Sequence, residues 1–146
     1  MGSQQRLDRN NARLAASLVG YALEVKAEEI MLPERGRREL VRARQIAMYL
    51  AHVAMSMSLS RVAFAFERDR STVAHACHRI EEMRDDAKFD SWLEALEHGI
   101  ETFSPLTART GGLFALCKEA VSQRKLRMTL GVSGVRKIAE GASLAL

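Results

Sequence analysis

The chain has 146 residues, a formal net charge of +4, 47% hydrophobic residues and only 5% aromatic ones. These values predict one soluble, cytoplasmic domain with at most a small appendage. They exclude a membrane-spanning chain, because the longest apolar run, IAMYLAHVAM, is about half of the roughly 18 residues that a bilayer span requires. The N-terminal MGSQQRLDRNNARLAASL has no apolar core, so no secretory signal is expected. Abundant Ala, Leu, Arg and Met with few aromatic residues favour an all-α fold.

The first two predicted helices flank a turn. Apolar spacing predicts one helix over residues 10–30 and a second from about Leu40 to Met55, with the turn-forming LPERGRRE (32–39) between them. The predicted buried residues of the first helix are Leu14, Leu18, Ala22 and Val25. Those of the second are Ile46, Leu50, Val53 and Ala54.

The next two predicted helices are short and close together. Ser60 is a candidate N-cap for a helix that contains RVAFAF, and ERDR then predicts a tight turn. The following helix starts in RDRSTVAHACHRI (68–80) and extends to about Asp86. Its apolar stripe, at helical spacing, consists of Val73, Cys77, Ile80 and Met83.

The remaining sequence predicts a further helix, a linker and a helical tail. The helix FDSWLEALEHGIE is predicted to bury Phe89, Trp92, Leu93 and Leu96. The predicted organisation is a first domain over residues 10–102, a linker over 103–112 and a tail over 113–146 that begins with LFALCKEAVSQRKLRMTL. Within the tail, residues 122–141 resemble a second helix-turn-helix core that is about two residues short. A hairpin that packs or dimerises, and a surface for RNA polymerase or a sigma factor, are the alternatives.

Charge is distributed unevenly along the chain. Residues 35–79 contain nine arginines and three acids, a balance of +6, whereas residues 81–102 have a balance of −6 and residues 103–146 of +5. A locally basic segment suits a polyanion, because displacing counterions from phosphates favours association. The alternative is that these are the charged faces of solvated helices.

Two short helices joined by a three- to four-residue turn are the plan of a helix-turn-helix. In that motif the first residues of the second helix read base edges in the major groove. Arg70 has the geometry to grip a guanine bidentately, and Ser71 or Thr72 can bond a base or a phosphate. The structural alternative is that Asp69, Ser71 and Thr72, all good N-cap residues, simply begin the helix.

Three ordered segments resemble a known family. VRARQIAMYLA (41–51), SLSRVAFAF (58–66) and RDRSTVAHAC (68–77) are together similar to the C-terminal DNA-binding domain, domain IV, of the bacterial replication initiator DnaA. The third segment resembles the family's Arg-Asp-His-Thr-Thr-Val-x-His-Ala-Cys run, and the similarity extends over about residues 17–98. The resemblance implies a small helical helix-turn-helix domain that binds a short duplex site without a metal or nucleotide cofactor.

The resemblance also implies a set of DNA-binding residues. Family positions that read bases and hold phosphates in the major groove fall on Asp69, Arg70, Ser71 and Thr72. The arginine expected to reach the minor groove is Arg42, and the family's contacts to the DNA backbone fall on Ser60, with Arg61 alongside. Three neighbouring residues complete the expected set: Arg44, Arg68 and His75.

The sequence departs from the family pattern near the recognition residues. Arg70 and Ser71 stand where the family has His and Thr, Ser60 replaces a Pro, and Glu67 replaces a Gly-Gly pair, which shortens the turn by one residue. We therefore expect a DNA target that differs from the initiator's. No Gly-rich loop ending in Gly-Lys-Ser/Thr occurs in the sequence, so the initiator's ATPase module is not expected.

The expected function is sequence-specific DNA binding in transcriptional regulation. Stand-alone DnaA-domain-like activators of gene transfer agent and phage-like gene clusters have this role, with the nucleoid as location and RNA polymerase or another DNA-binding protein as a further partner. The alternatives are a protein-interaction module that docks through the acidic residues 81–101, and a non-specific DNA binder. HACH (75–78) has too few ligands for a structural zinc site, and neither cysteine has the partners of a nucleophile. No metal, cofactor, small-molecule substrate or enzymatic activity is expected.

Overall fold

The computed structural model describes residues 2–34 and 36–110 of the chain. These residues form helices and connecting turns, without a strand among them. The helices are α1 (Ser3–Leu23), α2 (Ala27–Met31), α3 (Arg38–Val53), α4 (Leu59–Phe66), α5 (Arg70–Met83) and α6 (Ala87–Thr110). The predicted all-α fold is confirmed. The predicted tail (113–146), with its helix-turn-helix-like element, lies outside the described residues.

One hydrophobic core joins the six helices, and α3 lies at its centre, packed against both α1 and α5. Small side chains on α1, such as those of Ala12 and Ala15, are fully buried and allow the helices packed against α1 to approach it closely. Most residues predicted to be buried are buried: Leu14, Leu18, Ile46, Leu50, Phe89, Trp92, Leu93 and Leu96. The prediction for Val53 is wrong, since its side chain is 43% exposed at the last residue of α3, where the chain turns away from the core.

The first predicted helix is two helices in the structure, and it starts earlier than predicted. α1 begins at Ser3 and ends at Leu23, because Glu24 adopts a left-handed conformation with φ of 57°. The Val25 N–H then donates to the Gly20 carbonyl at 2.8 Å, which folds the chain back on itself before α2. A Cβ atom at position 20 would lie 2.5 Å from the Val25 carbonyl oxygen, so this turn requires glycine.

Replacing Gly20 with alanine should lower the free energy of unfolding by about 1–3 kcal/mol, because the added methyl group meets a backbone atom that cannot move without displacing the α1–α2 turn. Urea denaturation followed by circular dichroism measures the change. Asn10→Ala is the matched control, since Asn10 is an exposed residue of the same helix. Helix propensity alone would make Gly20→Ala more stable than the parent. That result would show that the turn leaves room for a methyl group at position 20.

The prediction that Ser60 caps α4 is wrong. Ser58 is the N-cap residue, and its side-chain oxygen accepts a hydrogen bond from the Arg61 N–H at 3.3 Å. Ser60 is the second residue of α4, and it is exposed to solvent. Both serines are acceptable caps by residue type, and the helix begins two residues earlier than the sequence pattern indicates.

The boundary between α5 and α6 also differs from the prediction. α5 ends at Met83, because Asp86 serves as the start of the next helix: its Oδ1 accepts hydrogen bonds from the N–H groups of Lys88 and Phe89 at 2.9 and 3.0 Å. α6 then continues to Thr110, eight residues into the segment predicted as a linker. The division into domains therefore stays a prediction. No helix in the described ranges is long and apolar enough to cross a membrane.

Candidate nucleic-acid interface

Helices α4 and α5 form the predicted helix-turn-helix. They pack against each other and are joined by the three residues 67–69. Glu67 takes the left-handed conformation, with φ of 52°, and the Arg68 N–H donates to the Ala63 carbonyl at 2.9 Å. The left-handed residue and this hydrogen bond close the end of α4 and redirect the chain into α5.

The two faces of α5 differ as the sequence predicts. The apolar stripe Val73, Cys77, Ile80 and Met83 is buried against the rest of the core. The opposite face presents Arg70, Ser71, Thr72, His75 and His78 to solvent. Burial of one side of α5 thus directs the first three of these, which we call the donor cluster (Arg70, Ser71, Thr72), outward at the N-terminal end of the helix.

A purely structural role for the residues that begin α5 has little support in the geometry. Asp69 occupies the N-cap position, but its side chain makes no capping hydrogen bond. Ser71 and Thr72 lie inside the helix and are exposed. Side chains of this type at a helix start usually satisfy backbone N–H groups, and here they remain available to an external partner.

Two grooves run beside α5 and meet at shared residues. The larger, of about 870 Å³, is lined on the α5 side by Asp69, Thr72 and His75, and includes Arg9 and Phe64. The smaller, of about 510 Å³, is lined by Gly36, Arg38, Val41, Arg42, Gln45, His75 and Arg79. Val41, Gln45 and His75 line both grooves, so α3 and α5 together form the ridge between them.

The smaller groove has a cationic lining. Arg38, Arg42 and Arg79 contribute guanidinium groups to it, and no acid is among its lining residues. Burial lowers the pKa of Arg42, and the nearby charge of Arg79 lowers it further. Like charges held close together in a concave surface raise the local positive potential, which favours a polyanion such as a nucleic-acid backbone.

Three of the residues predicted to bind DNA have partners in other parts of the chain, and a fourth, Arg42, donates from Nη1 to Oε1 of Gln45 on its own helix at 2.9 Å. Arg44 is only 6% exposed, and its Nε and Nη2 donate to the carbonyls of Ile30 and Glu29 at 2.7 and 3.2 Å. Arg68 Nη2 donates to the carbonyl of Leu32 at 2.9 Å.

Arg61 forms the third internal pair, with an acid near the start of α1. Its Nε and Nη2 both reach the carboxylate of Asp8, with Nη2 to Oδ1 at 2.6 Å, and Gln4 donates to the same oxygen at 2.9 Å. The Asp8 side chain is 4% exposed and that of Arg61 38%. The charge of Arg61 is therefore compensated from α1, and it is not the isolated cation that a phosphate contact would suggest.

The Asp8–Arg61 pair should make stability depend on acid pH. The hydrogen bond from Arg61 lowers the pKa of Asp8, although burial opposes this. The pair therefore stabilises the fold fully above the unfolded aspartate value of about 3.9, and the contribution is lost as pH falls through the lower folded-state pKa. Asp8→Asn should lower the free energy of unfolding by about 1–2 kcal/mol at pH 7, since it removes the charged partner of Arg61. The loss is no larger because water screens the partly exposed arginine.

Urea titrations of both proteins between pH 7 and pH 3 test this, and the difference between them should shrink toward the acid end. Glu24→Gln is the control, since Glu24 is an exposed acid at the other end of α1. A difference between Asp8→Asn and the parent that is constant with pH would contradict an ionic role.

Four groove-lining residues whose side chains carry N–H donors were not among the predicted site residues: Arg9, Arg38, Gln45 and Arg79. Arg79 was recognisable, since it is four residues after His75 on the same helix face. Arg9 was not, because only the packing of α1 on α4 brings its guanidinium 5.3 Å from the ring of Phe64.

The residues considered for metal or nucleophilic chemistry have other environments. His75 and His78 are both exposed, and the described part of the chain contains no group of three potential metal ligands. Cys77 is buried in the core, and burial raises the pKa of its thiol to about 11. A thiol with this pKa is protonated at neutral pH and is a poor nucleophile.

Comparison with known proteins gives matches to bacterial DnaA proteins. Residues 16–80 match the family model of the bacterial dnaA protein helix-turn-helix. The chromosomal replication initiator protein DnaA of Aquifex aeolicus is 43% identical over 75 residues, which are 50% of this chain and 18% of that protein. The DnaA protein of Synechocystis is 34% identical over 86 residues, 58% of this chain and 19% of that protein. This chain thus spans less than a fifth of the length of these relatives.

Two solved structures resemble the fold. One is described as a DNA replication initiation factor, with a TM-score of 0.60 and 34% identity. The other is the replication initiator DnaA bound to AMPPCP and single-stranded DNA, with a TM-score of 0.58 and 33% identity. Each alignment covers 66% of this chain and 30% of the solved chain.

Proposed function

Because residues 16–80 match the helix-turn-helix of bacterial DnaA proteins, we propose that this chain is a sequence-specific double-stranded DNA-binding protein. The observation that supports this most directly is the outward direction of the donor cluster on α5. The buried stripe that begins at Val73 holds that helix in place, so Arg70 and its neighbours project from a rigid element. Donors on a rigid helix end are what base readout in a major groove requires.

The proposed contacts divide by role. Asp69, Arg70 and Ser71 read base edges, and Thr72 with Ser60 holds phosphates, since all five are exposed and lie within the helix-turn-helix. His75 lies next along the exposed face of α5. These assignments rest on exposure, position and the family resemblance.

The cationic smaller groove supports a second set of contacts. Arg42 lines it together with Arg38 and Arg79, beside the exposed face of α5. We assign Arg42 to the adjacent minor groove, and its two neighbours to phosphates there. Positive charge of this kind adds affinity without sequence preference.

We further propose that DNA binding serves transcriptional regulation, as an activator of the gene transfer agent type. RNA polymerase or another DNA-bound protein would then be a partner, and the nucleoid the location. The substitutions at Glu67 and Arg70 support a target sequence unlike the initiator's, because a guanidinium reaches a different base edge from an imidazole and the shorter turn changes the angle of α5.

A protein-interaction module is the second candidate, and an acidic surface favours it. Exposed carboxylates extend from the C-terminal half of α5 into α6: Glu81, Glu82, Asp85, Asp86 and Glu94. They come after the donor cluster in the chain, at the other end of α5 and beyond it, so a basic protein could bind there without obstructing the first turn of α5. Under this hypothesis, duplex binding is weak and lacks sequence preference.

In-vitro selection from a random duplex library at physiological salt distinguishes the two functions. A sharp motif in the bound pool is expected for the specific regulator. A pool that is no different from the input would refute specific binding, and the salt dependence of binding to any duplex would then separate a non-specific binder from a module that does not bind DNA.

A further inference from the structure

The α2–α3 loop (residues 32–37) is held at both of its ends. Gly36, with φ of 62°, lies against α3 so closely that a Cβ atom there would be 2.9 Å from Leu40 Cδ1. At the other end, the carbonyl of Leu32 accepts a hydrogen bond from Arg68. Both described ends of the loop are therefore attached to neighbouring elements.

The second anchor comes from the helix-turn-helix itself. Arg68 is in the turn between α4 and α5, 36 residues from Leu32 in sequence, and it reaches the loop across the end of α2. Its Nε is buried and has no hydrogen-bond partner within the described ranges. The guanidinium is thus turned toward the protein at both Nε and Nη2, which leaves it poorly placed for a phosphate.

Arg44 holds the end of α2, next to the Leu32 carbonyl that Arg68 binds. It binds the carbonyls of Glu29 and Ile30, the residues that precede the loop, and its pKa is lowered by burial and by the neighbouring charge of Arg68. The last carbonyl groups of a helix have no partners within that helix, so Arg44 satisfies two of these acceptors in α2, and Arg68 satisfies the carbonyl of Leu32, the residue that ends it.

The loop leads directly into cations that face the candidate interface. Arg37 and Arg38 follow Gly36 and are exposed, and Arg38 lines the same groove as His75 and Arg79 of α5. Arg37 is the N-cap residue of α3 and Arg38 its first residue, so α3 and the loop that leads into it together set the position of these cations relative to the donor cluster.

We propose that Arg68 is a positioning residue. It fixes the α2–α3 loop to the turn between α4 and α5, so that Arg37, Arg38 and the donor cluster meet a duplex in one fixed register. This deepens the proposed DNA-binding function and rests on it. Arg68 acts through Arg37 and Arg38, not by touching DNA.

Hydrogen–deuterium exchange on the DNA-free protein tests the anchor without reference to function. Arg68→Gln removes the bond to Leu32 and keeps a polar side chain that should fold. In the peptide covering residues 28–34, the N–H groups of Ile30 and Leu32 donate to backbone carbonyls, and these amides should exchange roughly tenfold faster, the factor expected for loss of one hydrogen bond. Arg70→Gln, a change at an exposed arginine two residues away, should leave that peptide unchanged. Unchanged exchange in Arg68→Gln overturns the proposal.

A double-mutant cycle on duplex binding tests the route of action. Arg68→Gln should weaken binding roughly 3- to 10-fold in the parent, and should have no further effect once Arg37→Gln and Arg38→Gln are present, because residues that act through one another are not additive. The same loss in both backgrounds would make Arg68 a direct contact and overturn the proposal, as would no loss in the parent. Arg70→Gln is the control and should be additive with the loop changes.

The two failures can be told apart. A parent protein that binds no duplex refutes the proposed function, whereas the exchange rates of residues 28–34 still decide whether Arg68 holds the loop. A parent that selects a motif while Arg68→Gln retains full affinity refutes the positioning role alone.

Discussion

Arg70→Ala should weaken binding to the selected duplex by about 1–3 kcal/mol, roughly 5- to 150-fold, and should relax the preference at one base position. Arg70 is the first residue of α5 and is exposed, so its guanidinium can reach a guanine without displacing any part of the fold. Fluorescence anisotropy on the selected duplex and on single-base variants of it measures both effects. The unfolding free energy should change by less than about 0.5 kcal/mol, since the site is on the surface.

His78→Ala is the matched control for this prediction. His78 is exposed on the same helix but eight residues farther along, and its contact with Glu82 at 3.6 Å is solvent-exposed. It should bind like the parent. Arg70→Ala could instead lose the same affinity on every sequence, with the slope of log K against log salt concentration reduced by about one. That result would identify Arg70 as a contact to the DNA backbone and not to a base.

Trp92→Ala should lower the free energy of unfolding by about 3–5 kcal/mol. Trp92 is 1% exposed, and its ring lies 5.6 Å from that of Phe89, tilted by 44°. Removing it would leave a large cavity where α6 meets the core. The family match ends at residue 80, before α6, so this variant also tests whether α6 is an integral part of the domain. Thermal and urea denaturation of the whole chain measure the loss.

Two further variants make the Trp92 prediction specific. Glu94→Ala, an exposed change on the same helix, should be within about 0.5 kcal/mol of the parent. Trp92→Phe should cost less than about 1.5 kcal/mol, because the indole Nε1 is buried without a hydrogen-bond partner among the described residues and the ring is mostly replaced. A Trp92→Ala protein as stable as the parent would mean that α6 does not contribute to the core.

The buried faces of the helices could be predicted because helical spacing is a local property. Val73 and Ile80 on α5, and Phe89 with Trp92 on α6, recur at intervals that place them on one side of a helix, and burial follows from that alone. The outward direction of Arg70 follows in the same way, as the opposite side of the same helix. The sequence pattern therefore suffices to predict that the residues beginning α5 are exposed.

Helix boundaries were less accessible, because several residues of similar type compete for each cap. Ser58 and Ser60 are equivalent as N-caps by chemistry, and Asp86 can end one helix or begin the next. The choice depends on which backbone N–H groups the packed helices leave unpaired. The break at Glu24 likewise reflects the close approach of the chain to Gly20, which the apolar pattern over residues 10–30 does not report.

The partners of charged side chains could not be predicted, since they join distant parts of the chain. Arg61 meets Asp8 across 53 residues. Arg84 joins three helices, donating to Tyr49 Oη, Asp90 and Glu97 at 2.8, 2.6 and 2.8 Å, and these contacts raise its pKa despite the opposing effect of burial. Any exposed arginine resembles a phosphate contact in a sequence that binds DNA.

The amino-acid order therefore suffices to predict the helices of the described residues, a helix-turn-helix among them, and a donor-rich start to α5, because these depend on spacing over a few turns. Packing of α1, α2 and α3 around that motif decides which cations remain available. Arg70 stays exposed, whereas Arg44, Arg61 and Arg68 are bound to acceptors that the other helices bring within reach. A guanidinium donates to an oxygen that lies within reach and lacks another partner. Which oxygen that is depends on how the helices pack, and packing cannot be read from local spacing.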